Sequence, residues 1–222
     1  QTIVSIAGAR ADRFEGAIEI TCYNGSPLFN VAAVLSTNTD STAILYDAGL
    51  VNKKSVWKSM SWANVQDQMQ HTTPKASDVS KNVEVKYRTI IGENPTGSLA
   101  LFPAPHQYFY PLDEAFNLKF TWYGKDYHEL IPDFGMGIRQ DPLGDNRYVP
   151  WFNAPPGTQQ RLNFFCLLAN GNAEHALAEV KAFTHGDAYK PVAGFKTMST
   201  HFHNEFTSEV ALSGKPIPEK PE

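Results

Sequence analysis

The sequence predicts a mainly β fold: an antiparallel β-sandwich with one α-helix near the C-terminal end. Three observations predict it. Apolar and polar residues alternate in short runs through roughly the first 130 positions, the two-residue period of half-buried strands. Gly, Pro and Asn punctuate those runs at short intervals, as in sandwiches and barrels. One stretch, residues 173–184, changes to helical period.

The elements follow in order. Phe14, Ile18, Ile20 and Cys22 alternate with Glu15, Glu19 and Thr21, which marks a strand. Asn24-Gly25 comes next, and Asn-Gly between two apolar runs is a hairpin turn because both residues tolerate positive φ. Asn24-Gly25-Ser26 also fits a glycosylation sequon, but the turn is the better account. The return strand is expected at 29–35, and another at 42–46. Residues 53–71 read as irregular, since Trp57, Met60, Trp62 and Val65 fit neither period. Val83, Val85, Tyr87, Thr89 and Ile91 share one face of an expected strand. Further strands are expected at 99–102, 106–110 and 118–123.

The texture changes after about Pro132. Residues 134–140, with Gly135 and Gly137, read as a strand with close backbone approaches. Residues 148–158 form a loop rich in aromatics and prolines. Leu162 to Leu168 is almost continuously apolar, as in a strand buried on both faces. Asn172 then caps a helix whose apolar face is Ala173, Ala176, Leu177, Val180 and Phe183. His185-Gly186 closes it, with Gly suited to a left-handed cap. His175 and Glu179, one turn apart, form a solvated pair. Residues 195–206 return to strand character, and the proline-rich end from 212 reads as a linker. The expected domains are therefore 1–194, with a sub-boundary near 132, and 195–222, the first strand of a following domain plus linker.

Composition excludes some functions. A net charge of −4 gives no electrostatic reason to bind nucleic acid. No apolar stretch approaches the roughly 20 residues of a spanning helix. The first residue is Gln1, which a cleaved signal peptide would leave, as would a trimmed chain. Cys22 and Cys166 each lie in an apolar run and read as free buried thiols, with one disulfide left open.

The sharpest chemical lead is His201-Phe202-His203. On a strand, positions two apart point to one face, and Glu205 continues it. Two imidazoles and a carboxylate suit zinc, manganese or iron. A chance pair of surface histidines is the bland alternative. His71, His106, His128 and His185 occur singly and read as structural, although His128 stands beside Asp126 and Glu129. Arg139, Tyr148, Trp151 and Arg161 flank the aromatic–proline loop and could line a groove for a small-molecule or carbohydrate ligand. An aromatic–proline plug sealing the core explains the same residues more simply. No phosphate-binding loop, Rossmann fingerprint, nucleophile elbow or C-x-x-C is present.

From about Pro103 onward the chain resembles an uncharacterised group of exported bacterial proteins. The resembling segments are residues 102–107, 137–140, 150–158 and 189–191. The resemblance implies that this region leads into a metallohydrolase domain of the PHP (polymerase and histidinol phosphatase) type, a distorted α/β barrel that opens on a strand ending in His-x-His. His201 and His203 would then be metal ligands, and the remaining ligands would lie beyond Glu222. A divalent metal is accordingly expected only in the full-length protein, which would be exported to the periplasm or beyond. Self-association, or pairing with a C-terminal fragment, is the expected partnership. Two readings result: the N-terminal β-sandwich region of a metal-dependent, phosphoesterase-like hydrolase, or a non-catalytic module that binds carbohydrate or protein.

Overall fold

The computed structural model describes residues 1–44, 47–53, 57–105, 119–139, 152–188, 194 and 212. The chain divides into two compact units, Gln1–Tyr189 and Lys190–Glu222, against the expected division after 194. Of the second unit only Gly194 and Leu212 are described. The expected strand at 195–206 and the tail linker, apart from Leu212, lie outside the described residues, as does the expected strand at 106–110.

The first unit is mainly β, as the alternation predicts. Its described strands are β1 (Thr2–Ala11), β2 (Phe14–Cys22), β3 (Leu28–Ser36), β4 (Ala43–Ile44), β5 (Asp47–Asn52), β6 (Ser59–Ala63) and β7 (Met69–Thr72). They continue with β8 (Lys81–Val83), β9 (Ile90–Asn94), β10 (Gly97–Phe102), β11 (Thr121–Gly124), β12 (Phe134–Arg139), β13 (Phe152–Asn153) and β14 (Gln159–Ala169). Helix α1 spans Ala173–Phe183. An eight-stranded sheet runs β1-β2-β3-β14-β10-β9-β6-β7, and a four-stranded sheet runs β5-β12-β11-β8; β13 and β4 form a small ribbon. All the pairings between these strands are antiparallel.

The period-2 geometry of a strand sends alternate side chains to opposite faces, and the central strands use both. Leu99 and Leu101 of β10, with Phe164 and Cys166 of β14, pack against Tyr123, Phe134, Met136 and Ile138 of the small sheet. Ala100, Phe102 and Leu167 pack the other way, against Ala173, Ala176, Leu177 and Val180 of α1. The near-continuous apolar run at 162–168 thus belongs to a strand covered on both sides. Asn172 caps the helix by accepting the His175 amide at 3.1 Å. His185 and Gly186 follow in left-handed conformation, and Gly186 N–H donates to the Lys181 carbonyl.

Three expectations need correction. Within the stretch 53–71, expected to be irregular, residues 59–63 and 69–71 are strand: β6 and β7 form a hairpin, Met60↔Thr72 to Ala63↔Met69. Its turn is made by the Asn64 carboxamide, which accepts the Gln66 and Gln68 amides. This Asx geometry needs no glycine and gives no Asn-Gly signal. The single strand expected at 83–91 is two, because Arg88 takes φ +54 and the chain crosses from the small sheet to the large one. Val83 and Val85 therefore serve the inter-sheet core, and Tyr87 and Ile91 the helix side. Residues 2–11, for which no strand is expected, form β1, joined to β2 through a tight turn at Asp12 (φ +50). Position 132 falls between β11 and β12, which pair with each other in one sheet.

Cys22 and Cys166 are both free. Each is in register with Phe29, on opposite sides of β3. They stand two strand spacings apart, about 9–10 Å, beyond the roughly 7 Å Cα limit of a disulfide. Cys166 is buried as expected. Cys22, on β2, is exposed.

Candidate ligand-binding cleft

The four-stranded sheet is half as wide as the eight-stranded one, so part of the large sheet's inner face extends past its edge strand β5. A cleft of about 860 Å³ opens there. Its floor is Ile18, Val31, Ala33, Leu162 and Phe164 from β2, β3 and β14. Its other wall is β5 with Leu130 and Ile131. The volume lies within the usual 300–1,000 Å³ or so of small-molecule sites, which are typically apolar with a few placed polar groups.

The polar groups sit together at one end. Asp47 begins β5. The Tyr127 hydroxyl donates to Asp47 Oδ2 at 3.0 Å, and His128 Nε2 lies 3.6 Å from the same oxygen. The Asp47 side chain is 25% exposed. Tyr127 is held by stacking on Trp122, with ring centroids 4.0 Å apart and planes within 11°. The His128 ring meets Tyr127 edge-on. Burial, and then the Asp47 charge, push the Tyr127 phenol far above its ordinary range, while the nearby Arg139 opposes them. The phenol is therefore a fixed donor at physiological pH.

The small sheet makes room for this stack by omitting side chains. A Cβ on Gly135 would stand 2.5 Å from Trp122 Cη2, and one on Gly49 would stand 2.9 Å from Trp122 Cζ2. The close approaches expected around Gly135 are thus made by an indole lying over glycine backbone. The loop that brings Tyr127 and His128 is contorted: Asp126, His128 and Glu129 all take φ between +51° and +59°. Three left-handed non-glycine residues in one turn persist only where the surroundings fix them. Here the Tyr127 stack and the backbone bond from Tyr127 N–H to the Ile131 carbonyl do so.

The residues singled out from sequence fall elsewhere or beyond view. His201, His203, Glu205, Tyr148, Trp151 and His106 lie outside the described residues. Arg139 is wholly buried on β12, in register with Asp47, and its Nη1 donates to the Lys119 carbonyl at 2.9 Å. Among the described residues its Nε and Nη2 have no hydrogen-bond partner. Arg161 lies on β14 of the other sheet and pairs with Glu19. His175 pairs with Glu179 on the helix surface at 2.9 Å. Among the described residues no group of three or more His, Cys, Asp or Glu could hold a metal ion.

A second polar cluster resembles a nucleophile with its base. Ser61 Oγ lies 2.9 Å from His71 Nδ1, and His71 Nε2 lies 3.3 Å from Glu174. The Ser61 hydroxyl, however, is fully buried and donates to Glu93 Oε1 at 2.7 Å. Glu93 also accepts the Ala173 amide at the start of α1. The cluster ties the β6–β7 hairpin to the helix and leaves no open nucleophile.

Sequence reasoning noted His128 beside Asp126 and Glu129 but not Asp47 or Tyr127. The Asp47–Tyr127 bond spans 80 residues, and nothing in either local pattern announces it. No family model matches the chain, and no curated protein or solved structure matches it either. No helix among the described residues is long and apolar enough to cross a membrane.

Proposed function

We propose that the first unit is a ligand-binding β-sandwich module that seats the apolar body of a small molecule in the cleft beside β5. The observation that supports this is the cleft itself: an apolar floor and wall with hydrogen-bonding groups gathered at one end. A carbohydrate suits it less, because sugars stack on accessible aromatic faces, whereas Trp122 and Tyr127 are 1% and 5% exposed. The test is binding of 1-octanol to the protein, followed by calorimetry or by amide chemical shifts. Saturable binding is expected, with shifts in β2, β3 and β5. Ala33→Trp, which fills the floor from a half-buried position, should weaken it at least tenfold while the melting temperature holds. Unchanged binding in Ala33→Trp would place the ligand elsewhere.

For the parent protein we propose the exported metal-dependent hydrolase implied by the resemblance, with this module in front of it. Its support is the spacing of His201 and His203, which suits zinc, manganese or iron. The ligand-binding reading of the first unit does not depend on it. Metal content of the longer protein, measured with and without replacement of both histidines by Ala, tests it. Loss of metal with the first unit still folded is the expected result, and equal metal in both would remove the proposal.

A further inference from the structure

We infer that Asn24 is a site of spontaneous covalent modification: the Gly25 amide closes on its side chain, ammonia leaves, and the resulting succinimide reopens as aspartate or isoaspartate. The sequence holds two Asn-Gly pairs, Asn24-Gly25 and Asn170-Gly171. The fold leaves the first free to react and restrains the second.

The reaction sets a geometric demand. The glycine nitrogen must reach Cγ of the asparagine before it, which requires rotation about the asparagine ψ. Glycine is the permissive successor because no Cβ obstructs the approach. The new C–N bond forms as the Gly25 nitrogen gives up its proton and the Asn24 carboxamide nitrogen departs as ammonia. Water then adds at one of the two imide carbonyls and breaks the bond from that carbon to nitrogen. Opening at the side-chain carbonyl gives aspartate, and opening at the main-chain carbonyl gives isoaspartate. Water enters, ammonia leaves, and nothing is oxidised or reduced.

Asn24 meets the demand. Asn24 and Gly25 are both exposed at the apex of the β2–β3 hairpin. The turn is closed by the Ser26 N–H on the Tyr23 carbonyl at 3.1 Å. Gly25 takes φ +72 at its third position, where a type II turn calls for glycine. Flipping the central peptide of such a turn leaves the closing bond in place, so the Asn24–Gly25 peptide can rotate without breaking it. Among the described residues nothing accepts the Gly25 N–H. A Cβ placed on Gly25 would meet no atom within 4 Å beyond its chain neighbours, so the ring has room to form. The flanks are held, with the Tyr23 ring stacked on Phe165 and the Pro27 carbonyl accepting the Leu168 N–H. Rotation is thereby confined to the apex.

Asn170 does not meet it. Exposure does not separate the two sites, because Asn170 is exposed as well. Its backbone is fixed on both sides. Ala169 is paired with Ser98 in the large sheet. The Gly171 carbonyl accepts the Ser98 hydroxyl at 2.9 Å, and Asn172 caps α1. The His175 side chain stands 2.8 Å from where a Gly171 Cβ would be. Turning the Asn170–Gly171 peptide would pull on the helix, whose Ala173 and Ala176 have no exposure.

The folded protein is kept at pH 8 and 37 °C in water enriched in oxygen-18 and mapped over time by peptide mass spectrometry. Asn24 should convert at least tenfold faster than Asn170, take up one heavy oxygen, and yield isoaspartate that an isoaspartyl methyltransferase labels. In guanidinium chloride the two sites should convert at comparable rates. Asn24→Gln, whose carboxamide stands one methylene further out, should abolish the modification and keep the melting temperature. Equal rates at Asn24 and Asn170 in the folded protein would overturn the inference. So would aspartate at position 24 without isoaspartate, the mark of direct hydrolysis, or an Asn24 still intact in the folded protein after the unfolded chain has converted.

Discussion

The two halves of the large sheet are built from similar residues and live in different surroundings. β10 and β14 carry Leu99, Leu101, Phe164 and Cys166 on one face and Ala100, Phe102 and Leu167 on the other, and both faces are covered. β1 carries Ile3, Val4 and Ile6, each about half exposed. Strand formation needs only a pleat-compatible sequence and a neighbour to pair with, and both halves have that. Stability needs a second layer, and among the described residues the central half has one on each side. An exposed apolar edge strand is ordinarily an aggregation hazard. Here it lies next to the cleft, where apolar surface can serve a ligand.

The comparison can be broken by paired substitutions. Leu101→Ala, at a site with no exposure, should cost about 2–5 kcal/mol, the transfer loss plus a cavity. Ile6→Ala should cost within about 0.5 kcal/mol, as for exposed positions generally. Urea unfolding of both variants measures the contrast. Similar midpoints would mean that β1 is covered in solution.

A smaller effect sharpens the covered side. Asp67, in the β6–β7 turn, accepts the Tyr87 hydroxyl at 2.7 Å and Lys86 Nζ at 3.0 Å. The Tyr87 bond holds its carboxyl below the ordinary value, burial opposes it, and Lys86 adds to the lowering. The sign follows from linkage. With the folded value below the unfolded one, the contribution is fully present above about pH 4, the ordinary aspartate range, and is lost as pH falls through the folded value. Asp67→Asn should therefore lower stability slightly at pH 7 and flatten the acid limb of the melting profile below about pH 4. An unchanged acid limb would show that the turn is not anchored by this group.

The sequence made the parts governed by local pattern readable. The alternation at 14–22, the Asn24-Gly25 turn and the capped helix from Asn172 follow from periods and turn chemistry, which neighbours carry with them. Other features were hidden because long-range partners decide them. The β6–β7 hairpin turns on an Asn side chain rather than a glycine. Val83 to Ile91 alternates in one period while the chain passes between two sheets. β1 was passed over, although Ile3, Val4 and Ile6 lie in it, because those side chains follow no simple in–out alternation. The cleft was hidden most thoroughly. Asp47 comes from the edge of one sheet, Tyr127 from a contorted loop, and Ile18 and Leu162 from the other sheet. Only the sheet order puts them side by side. Arg139 was singled out for a groove and instead lies buried behind Asp47.

The two thiols on either side of Phe29 have a consequence for how the molecule reports on itself. Cys22 is exposed and open to an alkylating reagent. Cys166 has no exposure, and burial pushes its thiol up to about 12, so it stays both shielded and protonated. Thiolate is the reactive form. The first thiol records how long the reagent has been present, and the second records how often the middle of the large sheet opens. The chain therefore carries a clock and its own zero mark two strands apart, and a mass spectrum taken over time would read both from one sample.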